Sequence, residues 1–314
     1  EEGQVGLPWM VFPTGLYYIP ALFDEAGLNY PPQNIGDPYV WPDGTEEEWS
    51  WETLSKVAKE MTVDVNGLTP LDEGFDRDNI VQVGYVPQWS NIMVIGTFFE
   101  AGVPFTGEEG AYTAEIPQGW EDSWRWYFDA MWGDEPFMPN GALEGSAEFG
   151  GGNVVGSGRA AMGQTQLWYT CCTNEIEWDV ASFPSYKGEY HGRMDADTVR
   201  MWKGTPHPEE AFEFLTYLIG AGGTEPLVMG VGSVDAGYAA YGGFPAMTEF
   251  QESYWETKQE QFPFVTNWLL FDQALSYPDN PSAEAWRPNI LEANTRINTF
   301  GDLMKNDGTI DFDA

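Results

Sequence analysis

Apolar residues recur with the spacings of both strands and helices along the chain. Leu16 and Tyr18 lie two residues apart in an apolar run, and residues 81–85 and 178–183 also show a period of two, which predicts strands. Residues 208–219 begin with a proline, carry acidic residues in the first turn and are followed by a glycine, which predicts a helix. Strands and helices alternate throughout, and this order indicates the α/β class.

Three further segments are predicted to be helices that pack against a core. Ser50 is a suitable N-cap for a helix over residues 51–61, and residues 92–100 and 121–132 are also predicted to be helical. Trp124 falls on the apolar stripe of the last of these helices. We therefore expect its side chain in the core rather than at a binding surface.

The central, glycine-rich stretch of the chain contains the first candidate for a binding residue. Gly156 and Gly158 favour a tight turn, because glycine reaches positive φ without a Cβ clash. Residues 160–162 are small and apolar and predict a short buried strand, which Gly163 is expected to end. The polar loop that follows leads to Trp168. An aromatic side chain after a buried strand lies where open α/β sheets bind ligands, so Trp168 is the leading candidate.

The chain is strongly acidic. Its 314 residues include 50 Asp and Glu against 13 Lys and Arg, which gives a formal net charge of −37 at pH 7. This charge repels nucleic acid and anionic membrane surfaces, and no cluster of basic residues suggests a pocket for an anion. The acidic residues are spread along the chain rather than gathered in repeats. They indicate a solvated surface suited to high salt or to the outside of a cell.

The chain is also rich in aromatic residues, with 15 Trp, 15 Tyr and 19 Phe but only 2 His. Many of these side chains must belong to the core. A composition rich in Trp and poor in His also suits sugar binding, because flat aromatic faces stack on the apolar C–H faces of pyranose rings. The composition therefore leaves both uses open, since exposed aromatics mark binding surfaces.

The cysteines and histidines do not predict a metal site. Cys171 and Cys172 are adjacent, so they are either reduced and buried or joined as a vicinal disulfide ring. His191 and His207 are too far from them in sequence for zinc-ligand spacing. Residues 64–67 resemble the opening of a calcium loop but lack its periodic acids and closing Glu, so we interpret them as a turn. No cofactor is expected.

The apolar runs are too short to cross a membrane. The longest of them, such as residues 268–271, fall far below the roughly 20 residues that a span requires. The sequence begins at Glu1, without an initiator Met or a signal-like apolar segment. We therefore expect a processed protein or a fragment.

Short motifs occur in a recognisable order over nearly the whole chain. They are Gly-Leu-Pro at 6–8, Leu-Tyr-Tyr at 16–18, Leu-Phe-Asp-Glu-Ala-Gly-Leu at 22–28, Trp-Ser-Trp-Glu-Thr-Leu at 49–54, Ala-Lys-Glu-Met-Thr at 58–62, Gly-Arg-Ala-Ala-Met at 158–162, Val-Ala-Ser-Phe-Pro at 180–184, His-Pro-Glu-Glu-Ala-Phe-Glu-Phe-Leu at 207–215 and Phe-Pro-Ala at 244–246. Each motif is weak alone, but their order is specific. The chain resembles the family 1 extracellular solute-binding proteins of ABC importers, the maltodextrin-binding type.

This resemblance implies a type II periplasmic-binding-protein-like fold, in which two lobes close on an oligosaccharide by hinge motion. In such proteins a tryptophan that follows the Ala-Ala-Met strand stacks on sugar, and this position corresponds to Trp168. A second stacking tryptophan at the start of a late helix corresponds to Trp286. An aromatic residue on the loop before the mid-lobe helix corresponds to Trp89.

Three looser candidates complete the expected site: an asparagine on the Trp89 loop and two residues on or near the hinge strands. The candidate ligand-binding residues are therefore Trp168, Trp286, Trp89, Asn91, Tyr18 and Asp197. Asp197 could equally be a hydrogen-bonding residue of the hinge or an acceptor for a sugar hydroxyl.

The chain departs from the family pattern at its beginning, because most of the first lobe normally precedes the Gly-Leu-Pro segment. The resemblance implies that residues 1–8 form a hinge strand. Residues 9–195 with 260–314 would form one nearly whole lobe, of the C-terminal type. Residues 196–259 would form part of the N-terminal-type lobe, which is incomplete in this chain.

Two other functions compete with an importer receptor. A glycoside hydrolase would need a pair of carboxylates, but a chain with 50 acidic residues always offers some pair. The sequence has no Gly-x-Ser-x-Gly, His-Glu-x-x-His or phosphate-loop motif, so we do not expect an enzyme. The other alternative is a structural or adhesive surface protein that reuses the fold. The expected partners are a carbohydrate and a membrane permease, and the protein is expected to be a monomer. The resemblance also implies an extracellular or periplasmic location and an anchor to the membrane through a missing N-terminus.

Overall fold

The computed structural model describes residues 6–173, 176–219, 242–283 and 287–312 of the chain. These residues form an α/β fold in which helices pack on both faces of a mixed sheet. The fold class predicted from the sequence is therefore confirmed. Trp286 lies outside the described residues, so its role as a sugar-stacking residue stays a prediction.

Eleven strands occur among the described residues, and most of them are short. They are β1 (Leu7–Tyr18), β2 (Tyr39–Val40), β3 (Glu46–Glu47), β4 (Val63–Asp64), β5 (Ile80–Val86), β6 (Phe105–Thr106), β7 (Thr113–Ala114), β8 (Ala160–Gln166), β9 (Asp179–Ala181), β10 (Met194–Val199) and β11 (Phe244–Pro245). The main sheet has the order β10-β1-β8-β5-β4, and β9 and β11 also pair with β1. β5 and β8 are parallel, whereas the other pairs in this sheet are antiparallel.

β1 changes partners near its middle. Its first half pairs with β10 from Leu7 to Pro13, and its second half pairs with β8 from Thr14 to Tyr18. Proline has no amide hydrogen to give to a ladder, so Pro13 suits the point where one pairing ends. The amide and the hydroxyl of Thr14 both donate to the carbonyl of Arg193, at 3.1 and 2.6 Å. The described end of the expected hinge strand, residues 7 and 8, thus belongs to one continuous strand.

Nine helices occur in the described part of the chain. They are α1 (Pro20–Ala26), α2 (Trp51–Glu60), α3 (Ile92–Phe99), α4 (Gln118–Trp132), α5 (Gly141–Glu144), α6 (Pro208–Ile219), α7 (Gln251–Gln261), α8 (Leu269–Ala274) and α9 (Ile290–Asn306). The four helices described in the sequence analysis are present as α2, α3, α4 and α6. The expected cap at Ser50 is confirmed, because its hydroxyl accepts a hydrogen bond from the amide of Thr53 at 3.3 Å.

Two hydrophobic clusters lie on opposite faces of the second half of β1. Leu16 and Tyr18 belong to the cluster that includes α2, α3 and α4, whereas Tyr17 belongs to the cluster that includes α7 and α8. Successive side chains of a strand point to opposite faces, so the predicted alternation is confirmed. Trp124 is 7% exposed and packs in the first cluster, which confirms the core position expected for it.

Gly163 does not end β8, contrary to the prediction. The strand continues to Gln166, and all seven of its residues are buried. A Cβ atom on Gly163 would lie 2.2 Å from Cγ2 of Val155. The glycine is therefore required by the close approach of the preceding segment and not by a break in the strand.

The Asp64 turn holds its carboxylate with backbone amides. One oxygen accepts hydrogen bonds from the amides of Asn66 and Leu68 at 2.7 and 2.9 Å, and the other accepts from the amide of Asp76 at 2.8 Å. The described residues contain no group of three or more His, Cys, Asp or Glu that could hold a metal ion. These bonds favour the interpretation of residues 64–67 as a turn.

Candidate functional site

Two parallel strands bring two tryptophans to the same edge of the sheet. Val86 of β5 lies opposite Gly163 of β8, so the carboxyl ends of these strands lie side by side. Trp89 follows β5, and Trp168 follows β8. Their indole rings are parallel within 3°, with centroids 5.9 Å apart. Ligands of open α/β sheets bind at this edge, so the structure brings two predicted residues together where a ligand is expected.

Tyr169 supports this tryptophan pair. Its ring lies edge-on to Trp89, with centroids 5.2 Å apart, and edge-on to Trp168, with centroids 6.3 Å apart. Tyr169 is fully buried, whereas Trp168 is half-buried and Trp89 is 47% exposed. Burial raises the pKa of the Tyr169 phenol, so it stays neutral at physiological pH. The pair therefore presents indole surface to solvent above a fixed aromatic base.

The backbone at Trp89 has an unusual conformation. Its φ is 53°, in the left-handed region that non-glycine residues rarely adopt. The indole Nε1 donates to the carbonyl of Gly152 at 2.9 Å, and the side-chain amide of Gln88 donates to the same carbonyl at 2.8 Å. The amide of Val155 donates to Gln88 Oε1 at 3.1 Å. Strained backbone that several contacts hold in place is typical of functional sites.

The glycine-rich segment, residues 150–158, anchors both tryptophan loops. The Gly156 amide donates to the hydroxyl of Tyr169 at 2.9 Å, and that hydroxyl donates in turn to Oδ1 of Asn153. The side-chain amide of Asn153 donates to the carbonyl of Cys172 at 3.1 Å. Sequence reasoning singled out these glycines, but it missed Asn153 and Tyr169 as the residues that join the two loops.

Trp168 lies in a short 3-10 turn, Leu167–Cys172, which we call the Trp168 turn. Cys171 and Cys172, at the end of this turn, form a disulfide between neighbouring residues. Of the two alternatives left open by the sequence, the structure therefore has the vicinal ring. The side chain of Cys171 is exposed, and the ring lies three residues from Trp168.

A cleft of about 550 Å³ opens beside Trp89, between the start of α3 and α9. Its polar lining residues are Ser90, Asn91, Glu144, Asn298, Asp302 and Lys305. Asn91 is the N-cap of α3, and its Oδ1 accepts hydrogen bonds from the amides of Met93 and Val94 at 3.0 and 3.1 Å. The oxygen of Asn91 is thus used in capping, whereas the residue itself remains exposed at the cleft.

Two acidic residues are among those that line this cleft. Among its described lining residues, the carboxylates are those of Glu144 and Asp302. Glu144 accepts a hydrogen bond from Lys305 Nζ at 2.7 Å, and the two side chains form an ion pair. The carboxylates, amides and ammonium group of this lining can all exchange hydrogen bonds with polar groups of a ligand.

The structure does not place Tyr18 or Asp197 in the lining of the cleft beside Trp89. Tyr18 is 2% exposed and packs edge-on against Phe23 in the core. Asp197 is a half-buried residue of β10 that lies opposite Met10 of β1. Their assignment as ligand contacts stays a prediction.

Solved structures with the same fold include proteins in complex with sugars. UspC from M. tuberculosis matches with a TM-score of 0.67 and 20% identity, over 98% of this chain and 71% of that protein. An ABC substrate-binding protein from Listeria monocytogenes in complex with cycloalternan matches with a TM-score of 0.66 and 15% identity, over 98% and 68%. The MalE domain from Bdellovibrio bacteriovorus bound to maltotriose matches with a TM-score of 0.60 and 16% identity, over 97% and 68%.

These matches confirm the type II periplasmic-binding-protein-like fold and the incomplete first lobe. No helix in the described ranges is long and apolar enough to span a membrane. A comparison with curated protein sequences gives no match.

The sequence itself carries the family signal. The family model of bacterial extracellular solute-binding proteins matches residues 2–225, which is more than half of the chain. That family, like the neighbouring structures, consists of binding proteins and not of enzymes. The order of motifs from the Gly-Leu-Pro segment onwards, the mixed sheet and the paired tryptophans agree with this match. The chain belongs to the bacterial extracellular solute-binding protein family.

Proposed function

We propose that this protein is the substrate-binding component of an ABC importer and that its substrate is a carbohydrate, specifically an oligosaccharide. The observation that carries the proposal is the parallel, partly exposed pair of Trp89 and Trp168 at the carboxyl edge of β5 and β8. The sugars in the neighbouring structures, cycloalternan and maltotriose, support the same class of ligand.

The chemistry of the site suits a sugar. Indole faces bind the C–H faces of pyranose rings through dispersion and burial of apolar area, and they require no charge on the ligand. Ser90, Asn91 and Asn298, beside Trp89, can exchange hydrogen bonds with hydroxyl groups. A neutral ligand also fits a chain of net charge −37, which would repel an anion.

The proposal includes the lobe arrangement that the family resemblance implies. Residues 9–195 with 260–314 form one lobe, residues 196–259 form part of the other, and residues 1–8 belong to the hinge. The switch of β1 from β10 to β8 supports a connection at this place. We further propose that the protein works outside the cytoplasm as a membrane-anchored monomer, delivers its sugar to a membrane permease and catalyses no reaction.

The test is a titration of intrinsic tryptophan fluorescence of the full-length secreted protein against a panel of oligosaccharides. One sugar should give a saturable change in intensity or emission wavelength. Trp168→Ala should weaken the affinity for that sugar by about 2–4 kcal/mol, because a central stacking residue carries a large share of binding energy.

Trp202→Ala is the matched control, because Trp202 is 75% exposed and lies beyond β10, on another part of the sheet. Its affinity for the sugar should equal that of the unchanged protein. Equal affinity in a folded Trp168→Ala variant would remove this residue from the site. The absence of any response to sugars from the folded protein would favour the structural or adhesive role instead.

A further inference from the structure

Lys258 is a buried lysine behind the Trp168 turn. Its side chain is part of α7, and the residue is 1% exposed. Its Nζ donates to Thr170 Oγ1 at 3.0 Å and lies 3.4 Å from Gln261 Oε1. The amine also lies 5.8 Å from the ring centroid of Tyr254 and 5.6 Å from that of Phe262. A lysine in such an aromatic environment is rare, because burial penalises its charged form.

Thr170 connects this lysine to the tryptophan pair. It is fully buried and lies in the Trp168 turn, between Trp168 and the disulfide. Gly242 supports the same turn from the side of β11: a Cβ on Gly242 would lie 3.0 Å from Cα of Trp168 and 3.4 Å from Thr170 Oγ1. The Trp168 turn therefore rests on the chain segment that leads into α7, and the Lys258–Thr170 hydrogen bond is a polar contact of that support.

We propose that Lys258 is a positioning residue for sugar binding, which holds the Trp168 turn through Thr170 so that the indole of Trp168 stays parallel to that of Trp89. This inference rests on the proposed function. Lys258 does not contact the sugar in this arrangement. It acts through the orientation of Trp168.

The cost of burying the amine supports a geometric role. Desolvation lowers the pKa of Lys258 from 10.5 to about 7, so keeping the buried amine protonated costs free energy of folding. An apolar side chain of similar length, such as Met, would fill the space among Tyr254 and Phe262 without this cost. Met could not donate a hydrogen bond to Thr170, which is the contact that only the amine supplies.

The experiment uses 19F NMR of the full chain labelled with 5-fluorotryptophan, together with sugar titrations. Trp89→Phe and Trp168→Phe assign the resonances of the pair, and Trp202→Phe assigns a distant reference. Lys258→Met and Thr170→Val should both shift the resonances of Trp89 and Trp168, because stacked rings change each other's shielding when they move. The resonance of Trp202 should stay in place.

The same two variants should raise the dissociation constant for the sugar by up to about tenfold, which is the upper end of the net contribution of one hydrogen bond. The double variant should bind no more weakly than either single variant, because both remove the same contact. Thr170→Ser keeps the hydroxyl that Thr170→Val removes. Its Trp89 and Trp168 resonances and its sugar affinity should therefore equal those of the unchanged protein. Lys56→Met, at an exposed ion pair with Glu47, is the control for loss of a lysine.

The NMR measurement separates this inference from the proposed function, because it requires no ligand. Unchanged Trp89 and Trp168 resonances in folded Lys258→Met and Thr170→Val proteins would overturn the positioning role, whatever the sugar titration shows. If Lys258→Met does not fold, the nearly isosteric Thr170→Val and its rescue by Thr170→Ser decide the question. Shifted resonances in a protein that binds no sugar would support the positioning of the turn and overturn the binding function.

Discussion

The left-handed backbone of Trp89 sets the direction of its indole ring. A non-glycine residue in this conformation costs about 1–2 kcal/mol, and Trp89 is held there by Tyr169, Trp168 and the carbonyl of Gly152. The strain at Trp89 thus lowers the stability of the fold, while it sets the geometry of the binding surface. A glycine could adopt the same backbone without strain, but it would offer no ring.

Comparison of Trp89→Gly with Trp89→Ala isolates this strain, because both variants remove the indole. We expect the glycine variant to be more stable by about 0.5–1 kcal/mol in urea unfolding, which is the reverse of the usual order. Glu256 is exposed within α7 and serves as the control site. There Glu256→Ala should be more stable than Glu256→Gly by about 1 kcal/mol. A more stable alanine variant at position 89 would show that the conformation is not strained.

For single residues, the sequence predicted the candidate binding side chains better than the residues that hold them in place. Trp168 was predicted from its place after a buried strand, and Trp89 from the family resemblance. The residues that hold them were not predicted, since nothing local marks them: Lys258 bonds to a threonine 88 positions away. A single lysine in a helical sequence predicts a solvated side chain, and only the packed structure shows that Lys258 is buried.

The packing of β5 on α2 depends on a glycine. A Cβ on Gly84 would lie 1.9 Å from the carbonyl oxygen of Ala58 and 2.4 Å from its carbonyl carbon. The amide of Gly84 donates a hydrogen bond to Thr62 Oγ1 at 2.9 Å, and this bond also fixes the position of β5 at this point. The strand that leads to Trp89 therefore lies directly against the helix backbone.

Gly84→Ala should lower the free energy of unfolding by about 1–3 kcal/mol or more, since overpacking forces backbone shifts. Urea denaturation measures the loss. Because the contact is with main-chain atoms, adding Ala58→Gly should not restore stability. Rescue by that second change would mean that side chains, and not the helix backbone, limit the approach of the strand.

The elements themselves were easier to predict than their ends. The helices at α2, α3, α4 and α6 have caps, first-turn acids or apolar stripes that act locally. Gly163 was wrongly expected to end β8, because a glycine in a strand can mark either a break or a close approach. Val155 is the neighbour that decides between them. It belongs to a loop whose position cannot be predicted from the residues around Gly163.

The whole molecule carries a net charge of −37, and the ion pairs among its described residues are mostly exposed. Exposed pairs contribute little, whereas mutual repulsion among the acidic groups opposes the compact state. Salt shortens the range of this repulsion, from about 10 Å at 0.1 M to about 3 Å at 1 M.

The midpoint of thermal unfolding should therefore rise when NaCl is increased over this range at pH 7. The control is the same titration near the sequence pI of 4.1, where the net charge and thus the salt effect should be small. Equal salt effects at both pH values would mean that salt acts through hydrophobic burial rather than through charge screening.

The fold as a whole was predictable because the family motifs run in one order along most of the chain. The pairings between distant segments were not, since no local pattern in the sequence marks them. β1 shows this most directly: Leu7 pairs with Val199, and Tyr18 pairs with both Met162 and Asp179.

The partner switch of β1 also has a consequence for biosynthesis. The residues that flank both edges of this strand are made more than 140 positions after it. Until then its apolar side chains have no sheet to enter, and closing such long loops slows folding. Chaperone dependence during synthesis should therefore be governed by β1, and translation pauses placed after β10 should improve the yield of folded protein more than pauses placed before β8.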